Sequence, residues 1–272
     1  MPELPEVETV VRGLRPDLLG RSIEWAWLDW LPGLVTPDEA GFLVRIRGQK
    51  VESIERRAKY IVIKLDSDWL MIHLKMTGRL YVVPDASQHE SDRWIHFCFQ
   101  LDNAHQLRFS DSRKFGRVYL TEDAAQFLGK LGPEPLSDDF TAAALAHLLG
   151  RRSARIKSLL MNQEFIAGIG NIYADEALHR AHIAPLRTSD SLNEAEVKAL
   201  HEAIQHVLTQ GIERQGASIG WYRRADGGEG SMQDAFLAYG RTGETCQTCG
   251  QGTIEKIVVG QRGTHYCPRC QR

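Results

Sequence analysis

The sequence of 272 residues lacks several features that define other classes of protein. It has no run of about 18 apolar residues, so no membrane-spanning helix is expected. No basic stretch followed by an apolar one opens the chain, and no secretion signal is predicted. Neither sign of charge dominates, with 33 Lys and Arg against 35 Asp and Glu, which counts against a protein that coats nucleic acid with its whole surface. A cytoplasmic protein without membrane contact is therefore expected.

Cysteine is also scarce, but four of the five cysteines have the spacing of a metal site. Two C-x2-C pairs near the C-terminus are separated by 17 residues, and they comprise Cys246, Cys249, Cys267 and Cys270. Two thiolate pairs at such a spacing can close a tetrahedral Zn²⁺ site, and without a secretion signal disulfides are not favoured. The sequence therefore predicts one structural zinc ion, with a β-hairpin between the pairs whose tip carries Arg262.

The charges that are present are unevenly distributed. Between Arg45 and Lys64 seven basic residues face two acidic ones, a net charge of +5, and a second basic run covers residues 151–157. Local basic stripes on a nearly neutral chain are typical of a surface that contacts a phosphate backbone.

The pattern of apolar residues indicates a multidomain α+β protein. Residues 5–20 show helical spacing, interrupted by Pro16. Short β segments follow up to about residue 120, which predicts a β-sandwich or barrel. After a linker at 132–139 the pattern is helical, with helices expected at 141–149, 156–164, 171–181 and 193–214. A glycine-rich stretch at 216–231 indicates a mobile loop.

The N-terminus offers an unusual nucleophile. An initiator Met before a small residue is removed, which would leave Pro2 with a secondary amine whose pKa lies near ~8. Such an amine attacks an aldehyde carbon and gives an iminium ion, and the neighbouring Glu3 can move protons. Proline and acidic residues are also common in the first turn of a helix, where they cap it. These residues alone therefore do not distinguish a nucleophile from helix capping.

A second candidate site is the string Gly168-Ile-Gly-Asn171. Two glycines between helices allow a tight turn, and the N–H groups that open the next helix can bind phosphate. Asn171 adds a side-chain donor at that point.

Taken in order, the motifs resemble the bacterial formamidopyrimidine-DNA glycosylases of the Fpg/Nei family. The resemblance spans the whole chain, and PELPEVET together with GIGNIYADE are its most specific parts. The other strings are Arg56-Arg-Ala-Lys-Tyr60, His73-Leu-Lys-Met-Thr-Gly78, Asp111-Ser-Arg-Lys-Phe-Gly116, Leu131-Gly-Pro-Glu-Pro-Leu136 and the four-cysteine finger.

This resemblance implies three domains: an N-terminal β-sandwich with an N-terminal helix (1–132), a helix–two-turn–helix domain (133–238) and a C-terminal β-hairpin zinc finger (239–272). It implies a monomer that binds damaged double-stranded DNA in a cleft between domains. It also implies base-excision repair of oxidised purines in a bacterial cytoplasm, with DNA of the nucleoid as the substrate.

The same resemblance implies roles for particular residues. Pro2 would attack C1′ of the damaged nucleoside and release the base through a Schiff base, with Glu3 as general acid and base. Lys59 would assist β-elimination and Arg262 δ-elimination. Further contacts to the DNA backbone are expected from His73, Arg152, Asn171 and Tyr239. Because a base must leave the stack to be reached, wedge residues are expected too, at Met76, Arg113 and Phe115.

Two alternatives remain open at this point. An endonuclease VIII-like enzyme would prefer oxidised pyrimidines, and a non-catalytic zinc-ribbon protein would bind DNA but retain Met1. The loop at 218–232 departs from the pattern of the formamidopyrimidine branch, where it caps the lesion. Trp94 stands where the family often has a histidine, and Lys75 stands where a small residue is common.

Overall fold

The chain begins with a helix, α1 (Leu4–Leu18), in a computed structural model that describes residues 1–272. Pro5 lies in its first turn, where a missing N–H is tolerated, and Pro16 lies in its last turn, so the helix ends soon after it. Apolar residues recur at helical spacing and are buried, as the sequence predicted, and they comprise Val7, Val10, Val11, Leu14 and Leu18.

Two units make up the molecule, and each uses two stretches of chain. The first unit comprises Met1–Gly129 and Gln215–Gly230, and the second comprises Lys130–Arg214 and Ser231–Arg272. The segment 215–230 thus returns to the first unit, although no sequence pattern indicated that return.

The first unit is a β-sandwich. Its strands are β1 (Ile23–Leu28), β2 (Leu34–Thr36), β3 (Val51–Arg57), β4 (Tyr60–Leu65), β5 (Trp69–His73), β6 (Gly78–Pro84), β7 (Ile95–Leu101), β8 (His105–Asp111) and β9 (Arg117–Thr121). They form a four-stranded sheet in the order β1-β7-β8-β6 and a five-stranded sheet in the order β2-β9-β5-β4-β3. Side chains from both sheets and from α1 share one apolar core. The predicted sandwich is therefore confirmed.

The prediction of β structure from residue 22 to 120 missed one helix, α2 (Glu39–Ile46). Its N-cap is Asp38, whose carboxylate accepts the N–H of Gly41 at 2.8 Å. Phe42 and Ile46 lie on its buried face, in the core of the sandwich. A short helix, α3 (Ala125–Leu128), lies near the end of the first stretch, and Phe127 and Leu128 cover a small apolar cluster on the five-stranded sheet.

The second unit is helical and ends in a hairpin. Its helices are α4 (Ala142–Gly150), α5 (Ile156–Leu160), α6 (Asn171–Arg180) and α7 (Glu194–Glu213), and its strands are β10 (Glu255–Val259) and β11 (Arg262–Tyr266). Three of the four predicted helices lie within a few residues of their expected bounds. The helix expected at 156–164 was too long, because the side chain of Asn162 accepts the N–H of Glu164 at 2.9 Å and turns the chain.

No helix combines the length and the apolar composition needed to cross a membrane.

Candidate active site and nucleic-acid interface

Pro2 and Glu3 are both buried at the start of α1. Glu3 is the N-cap residue of that helix, so its carboxylate lies at the positive end of the helix dipole. Its backbone N–H donates to the carboxylate of Glu6 at 2.8 Å. Met1 is about half exposed. The chain thus holds Pro2 in a fixed position and next to a carboxylate.

Lys59 is placed by the tight turn between β3 and β4. Only Ala58 and Lys59 separate the two strands, and Ala58 adopts a positive φ of 54°, a region that few residues other than glycine adopt. The side chain of Lys59 is buried. Tyr60, the first residue of β4, pairs with His73 of the adjacent strand β5. Their rings pack edge to face with 4.7 Å between the ring centroids. Lys59 and His73 therefore belong to one region of the five-stranded sheet.

His73 is held in its neutral form. Burial, together with the charges of Lys75, Lys59 and Arg117, lowers its pKa from 6.5 to about 3. Its Nδ1 accepts the N–H of Lys75 at 3.0 Å, so the ring proton resides on Nε2. His73 can therefore donate one hydrogen bond to a phosphate, but it adds no positive charge at neutral pH.

The three expected wedge residues come together at the surface of the first unit. Met76 and Phe115 are 44% and 43% exposed, and they lie together on the surface. The guanidinium of Arg113 lies 4.8 Å from the centre of the Phe115 ring, and its Nη1 is 3.2 Å from the sulfur of Met76. The group presents two apolar side chains and a planar hydrogen-bond donor side by side.

Asp111 shapes this group of wedge residues. It is the first residue of the motif at 111–116, and the sequence predicted no role for it. It is fully buried, and one of its carboxylate oxygens accepts the N–H groups of Phe115 and Gly116 at 2.8 and 2.7 Å. The other oxygen accepts from the hydroxyl of Thr77 and from the N–H of Arg113. One buried carboxylate therefore fixes the loop 112–116. The role of Asp111 could have been predicted from its position, because an acidic residue at the start of a loop can accept hydrogen bonds from the backbone N–H groups of that loop.

On the second unit, Asn171 is the first residue of α6 and follows Gly170, the N-cap. Its Nδ2 donates to the carbonyl of Gly263 at 2.9 Å, next to Arg262, while its Oδ1 is buried without a hydrogen-bond partner. Arg262 is exposed at the start of β11, one residue past the hairpin turn. The structure thus brings Asn171 and Arg262 to neighbouring places, at a helix N-terminus that suits phosphate.

A buried ion pair, which no sequence pattern predicted, supports this arrangement. Lys157 on α5 and Asp175 on α6 are wholly buried and bonded to each other, and Lys157 also donates to the carbonyl of Asn171 at 3.0 Å. Asp175 accepts the backbone N–H of His265 at 2.9 Å and is 3.1 Å from its Nδ1. Two helices and the hairpin are therefore joined through one carboxylate.

The remaining two predicted contacts lie in different settings. Tyr239 packs its ring edge to face on His265 at 4.9 Å, and its N–H donates to the buried carboxylate of Glu176 at 2.7 Å. The N–H groups of Leu237 and Ala238 donate to the same carboxylate. Arg152, in contrast, is exposed just beyond α4.

The four cysteines form a cluster that fits a zinc ion. Their sulfur atoms all lie within 4.8 Å of one another, with 3.7 Å between Cys246 and Cys270 and 3.9 Å between Cys249 and Cys267. A tetrahedral ion with Zn–S bonds of about 2.3 Å places its sulfurs about 3.8 Å apart. A side chain at Gly252 would meet the sulfur of Cys267 at 2.5 Å, so a glycine is needed beside the cluster.

A buried histidine contacts the same cluster. Nε2 of His179 on α6 is 3.8 Å from the sulfur of Cys246 and 2.9 Å from the hydroxyl of Thr248. Its Nδ1 is 3.1 Å from Oε1 of Gln271, which also accepts the N–H of Cys267 at 2.8 Å. The finger is thereby attached to the helix whose N-terminus carries Asn171.

A buried proline at position 2, a β-sandwich, a helical region and a four-cysteine finger together define a class of DNA glycosylases. Three family descriptions match in that order: the formamidopyrimidine-DNA glycosylase N-terminal domain at residues 1–118, the H2TH domain of the same enzymes at 131–222, and the zinc finger found in FPG and IleRS at 243–272. The chain belongs to the formamidopyrimidine-DNA glycosylase family, so the resemblance found in the sequence is confirmed.

Individual relatives agree along the whole chain. Proteins named formamidopyrimidine-DNA glycosylase from Chloroflexus aurantiacus and Herpetosiphon aurantiacus are 50% and 47% identical over 100% of this chain, and over 98% and 100% of their own lengths. Among solved structures, Lactococcus lactis Fpg with abasic-site DNA has a TM-score of 0.90 at 36% identity and 99% coverage of both chains. MutM with DNA containing carbocyclic 8-oxo-G has a TM-score of 0.90 at 35% identity and 100% coverage of both chains.

Proposed function

We propose that this protein is a base-excision repair enzyme that removes oxidised purines, chiefly 8-oxoguanine and formamidopyrimidines, and then cuts the DNA strand at the resulting abasic site. The observation that carries the proposal is the buried Pro2–Glu3 start of a chain that matches this family from end to end. Similar solved structures are complexes with DNA that contains an abasic site, Fapy-dG or carbocyclic 8-oxo-G, which supports damaged DNA as the partner.

The first chemical step uses the N-terminal amine. Once Met1 is removed, the nitrogen of Pro2 attacks C1′ of the damaged nucleoside, the bond from C1′ to the base breaks, and the base leaves with the proton that the amine gives up. Glu3 then gives a proton to the sugar ring oxygen as the C1′–O bond opens, which leaves an iminium ion on Pro2. The fixed position of Pro2 at the helix start favours this attack, because the reacting atom needs little reorganisation.

Strand cleavage follows from the iminium ion, which makes the C2′ proton acidic. Loss of that proton expels the 3′ phosphate, and a second elimination expels the 5′ phosphate. We assign assistance in these two steps to Lys59 and Arg262, respectively. The phosphates would be held by donors on both units, which are His73, Arg152, Asn171 and Tyr239.

The space left by the extruded nucleotide would be filled from the first unit. Met76 and Phe115 supply apolar surface that can enter the base stack, and Arg113 supplies N–H donors for the orphaned base. Their grouping with Arg113 on the surface supports this role, since a guanidinium and two exposed apolar side chains lie side by side.

The zinc ion has a structural part. Cys246, Cys249, Cys267 and Cys270 would hold it, and its binding energy would fold the short finger that carries Arg262. We further propose that the protein acts as a monomer in the cytoplasm, with domains at 1–132, 133–238 and 239–272.

The proposal is tested by comparing duplexes that carry 8-oxoguanine or thymine glycol. We expect faster excision of 8-oxoguanine, with products of β,δ-elimination, whereas a preference for thymine glycol would indicate an endonuclease VIII-like enzyme. Pro2→Gly should bind the 8-oxoguanine duplex but lose most of the cleavage, and Pro5→Gly, the same change within α1, is its control. Full cleavage by Pro2→Gly, or purified protein that retains Met1 and cuts no substrate, would contradict the proposal.

A further inference from the structure

His96 is a buried histidine to which neither the sequence nor the proposed mechanism gives a role. It lies in β7 at a β-bulge: Ile95 pairs with Ser110 and Phe97 pairs with Phe109, so His96 is the additional residue on its strand. A bulge changes the direction in which a side chain points, and bulges are common beside active sites. His96 is only 5% exposed, so its ring makes its contacts within the protein.

Both ring nitrogens of His96 face oxygen atoms. Nδ1 is 2.7 Å from Oδ1 of Asp29, and Nε2 is 3.1 Å from the backbone carbonyl oxygen of Asp111. A carbonyl and an ionised carboxylate only accept hydrogen bonds, so the ring donates at both ends when each nitrogen carries a proton. Trp30 packs against the ring, with 5.9 Å between the centroids. His96 therefore connects a partly exposed carboxylate, that of Asp29, with the last residue of β8.

The carbonyl that His96 contacts belongs to the residue that organises the loop 112–116. The same oxygen of Asp111 accepts the N–H of Lys114 at 3.2 Å, which closes a turn in which Lys114 has a φ of 58°. The carboxylate of Asp111 accepts the N–H groups of Phe115 and Gly116. Asp111 thus holds the loop with its carbonyl and with its carboxylate, and the ring of His96 contacts the carbonyl.

We propose that His96 is a positioning residue for the wedge: its Nε2–H donates to the carbonyl of Asp111, and this hydrogen bond fixes the loop in the conformation in which Arg113 and Phe115 enter the base stack. The inference rests on the proposed function, of which wedge insertion is a part. Because His96 is buried, it acts through Asp111 and not by contact with DNA. A loop that is already fixed loses less conformational freedom when it enters DNA, so insertion is faster.

The experiment measures wedge insertion separately from the chemical steps. The duplex carries 8-oxoguanine opposite cytosine, with 2-aminopurine as a neighbouring base, because this base fluoresces more strongly when its stacking is lost. The proteins are the wild type, His96→Gln, His96→Asn and His105→Asn. The amide nitrogen of Gln takes the place of Nε2 and that of Asn the place of Nδ1, so only His96→Gln keeps the donor to Asp111. His105→Asn is the control, because this histidine lies at the other end of β8.

His96→Asn should slow both the rise in fluorescence and the excision of 8-oxoguanine about 10-fold, which corresponds to about 1.4 kcal/mol. His96→Gln and His105→Asn should both stay within about 2-fold of the wild type, since neither loses the bond to Asp111. Denaturant titration of the same proteins should show similar losses of stability in His96→Gln and His96→Asn, because both remove the same ring from the sandwich. Rescue by Gln and not by Asn thus separates positioning from a merely structural role.

Asp29→Ala provides a second variant that spares the core, since the Asp29 side chain is partly exposed. It removes the acceptor that orients the ring of His96, and we expect the fluorescence rise to slow about 3-fold. If His96→Asn does not fold, Asp29→Ala decides, and a wild-type rate in Asp29→Ala would then overturn the inference.

The inference is also overturned if His96→Gln and His96→Asn slow equally, if neither slows, or if His105→Asn slows as much as His96→Asn. A wild-type protein that does not excise 8-oxoguanine would overturn the proposed function itself, so the two failures are distinguishable.

Discussion

The residues proposed as a wedge, Met76, Arg113 and Phe115 of the first unit, and those proposed to bind phosphate, Asn171 and Arg262 of the second unit, are built in opposite ways. Met76 and Phe115 are nearly half exposed, and one carboxylate, that of Asp111, organises the loop that carries Phe115. Asn171, in contrast, stands on the buried pair of Lys157 and Asp175, which also joins the hairpin that carries Arg262. Apolar side chains that enter the DNA base stack must stay exposed. Hydrogen-bond donors that position the DNA phosphate backbone bind it more precisely when a rigid part of the protein holds them.

Loss of zinc should have the largest effect, and it should affect the second unit but not the first. Cys267→Ser is expected to abolish zinc binding and to unfold the finger, because the metal supplies about 10 kcal/mol or more to such modules. Duplex affinity should fall by roughly 100-fold or more, since Arg262 loses its place, while the first unit stays folded. Zinc content and duplex binding measure this, with Cys98→Ser as the control outside the cluster. One zinc per chain in Cys267→Ser would contradict the assignment.

The buried pair offers the next largest effect. Lys157→Met leaves the carboxylate of Asp175 buried without its cation, and we expect a loss of about 3–5 kcal/mol in the free energy of unfolding. Denaturant titration measures it. Lys198→Met breaks an exposed pair with Glu202 and should cost less than about 0.5 kcal/mol.

A second substitution sharpens this test. Adding Asp175→Leu to Lys157→Met should restore part of the stability, because no buried charge then remains unpaired. A loss below about 1 kcal/mol in Lys157→Met alone would show that the pair does not support the site.

An intermediate effect is expected from pH at His73. Its pKa is lowered from 6.5 to about 3 in the folded protein, so below pH 6.5 the unfolded chain binds a proton that the folded protein does not. The contribution of neutral His73 to stability is therefore complete above pH 6.5 and declines as the pH falls toward 3. Between pH 7 and pH 5 it should decline by about 1–2 kcal/mol.

His73→Asn isolates this contribution. The difference in unfolding free energy between pH 7 and pH 5 should be smaller in His73→Asn than in the wild type, and His147→Asn, at an exposed position of α4, should behave as the wild type. Equal pH dependence in all three proteins would mean that His73 titrates normally.

The smallest effect on stability, with a clear effect on function, should come from the wedge. Phe115→Ala is expected to change the free energy of unfolding by less than about 0.5 kcal/mol, because the ring packs on no core. Excision of 8-oxoguanine should slow about 10-fold, as the extruded state loses its filler. Phe109→Ala, a buried phenylalanine of β8, should instead cost about 3–5 kcal/mol. A large loss of stability in Phe115→Ala would place this ring in the fold and not in the interface.

Local patterns of the sequence predicted much of this molecule. The spacing of Val7, Val10 and Val11 predicted the first helix, and the spacing of the cysteines predicted the finger. Both patterns lie within a short stretch of the sequence. The helix at Glu39–Ile46 was missed because its short apolar run also fits a strand.

The supports of the site could not be predicted in the same way. Glu6 and Lys157 act through partners at distant positions in the chain: Glu6 reaches Ala217, and Lys157 reaches Asp175. For the same reason the segment 216–231 was expected to be a mobile loop, whereas the structure ties it to Glu6 and packs Tyr222 into the core. Burial and pairing of charges arise from tertiary structure, and no local pattern reports them.

The central claim, that Pro2 is the nucleophile, is tested most directly by borohydride trapping. The purified protein is mixed with a duplex that carries 8-oxoguanine opposite cytosine, the Schiff base is reduced, and the cross-linked peptide is identified by mass spectrometry. We predict a covalent protein–DNA product attached at the nitrogen of Pro2, with Met1 absent. A product attached at Lys59 or another lysine, or no product with either this duplex or an abasic one, would contradict the claim.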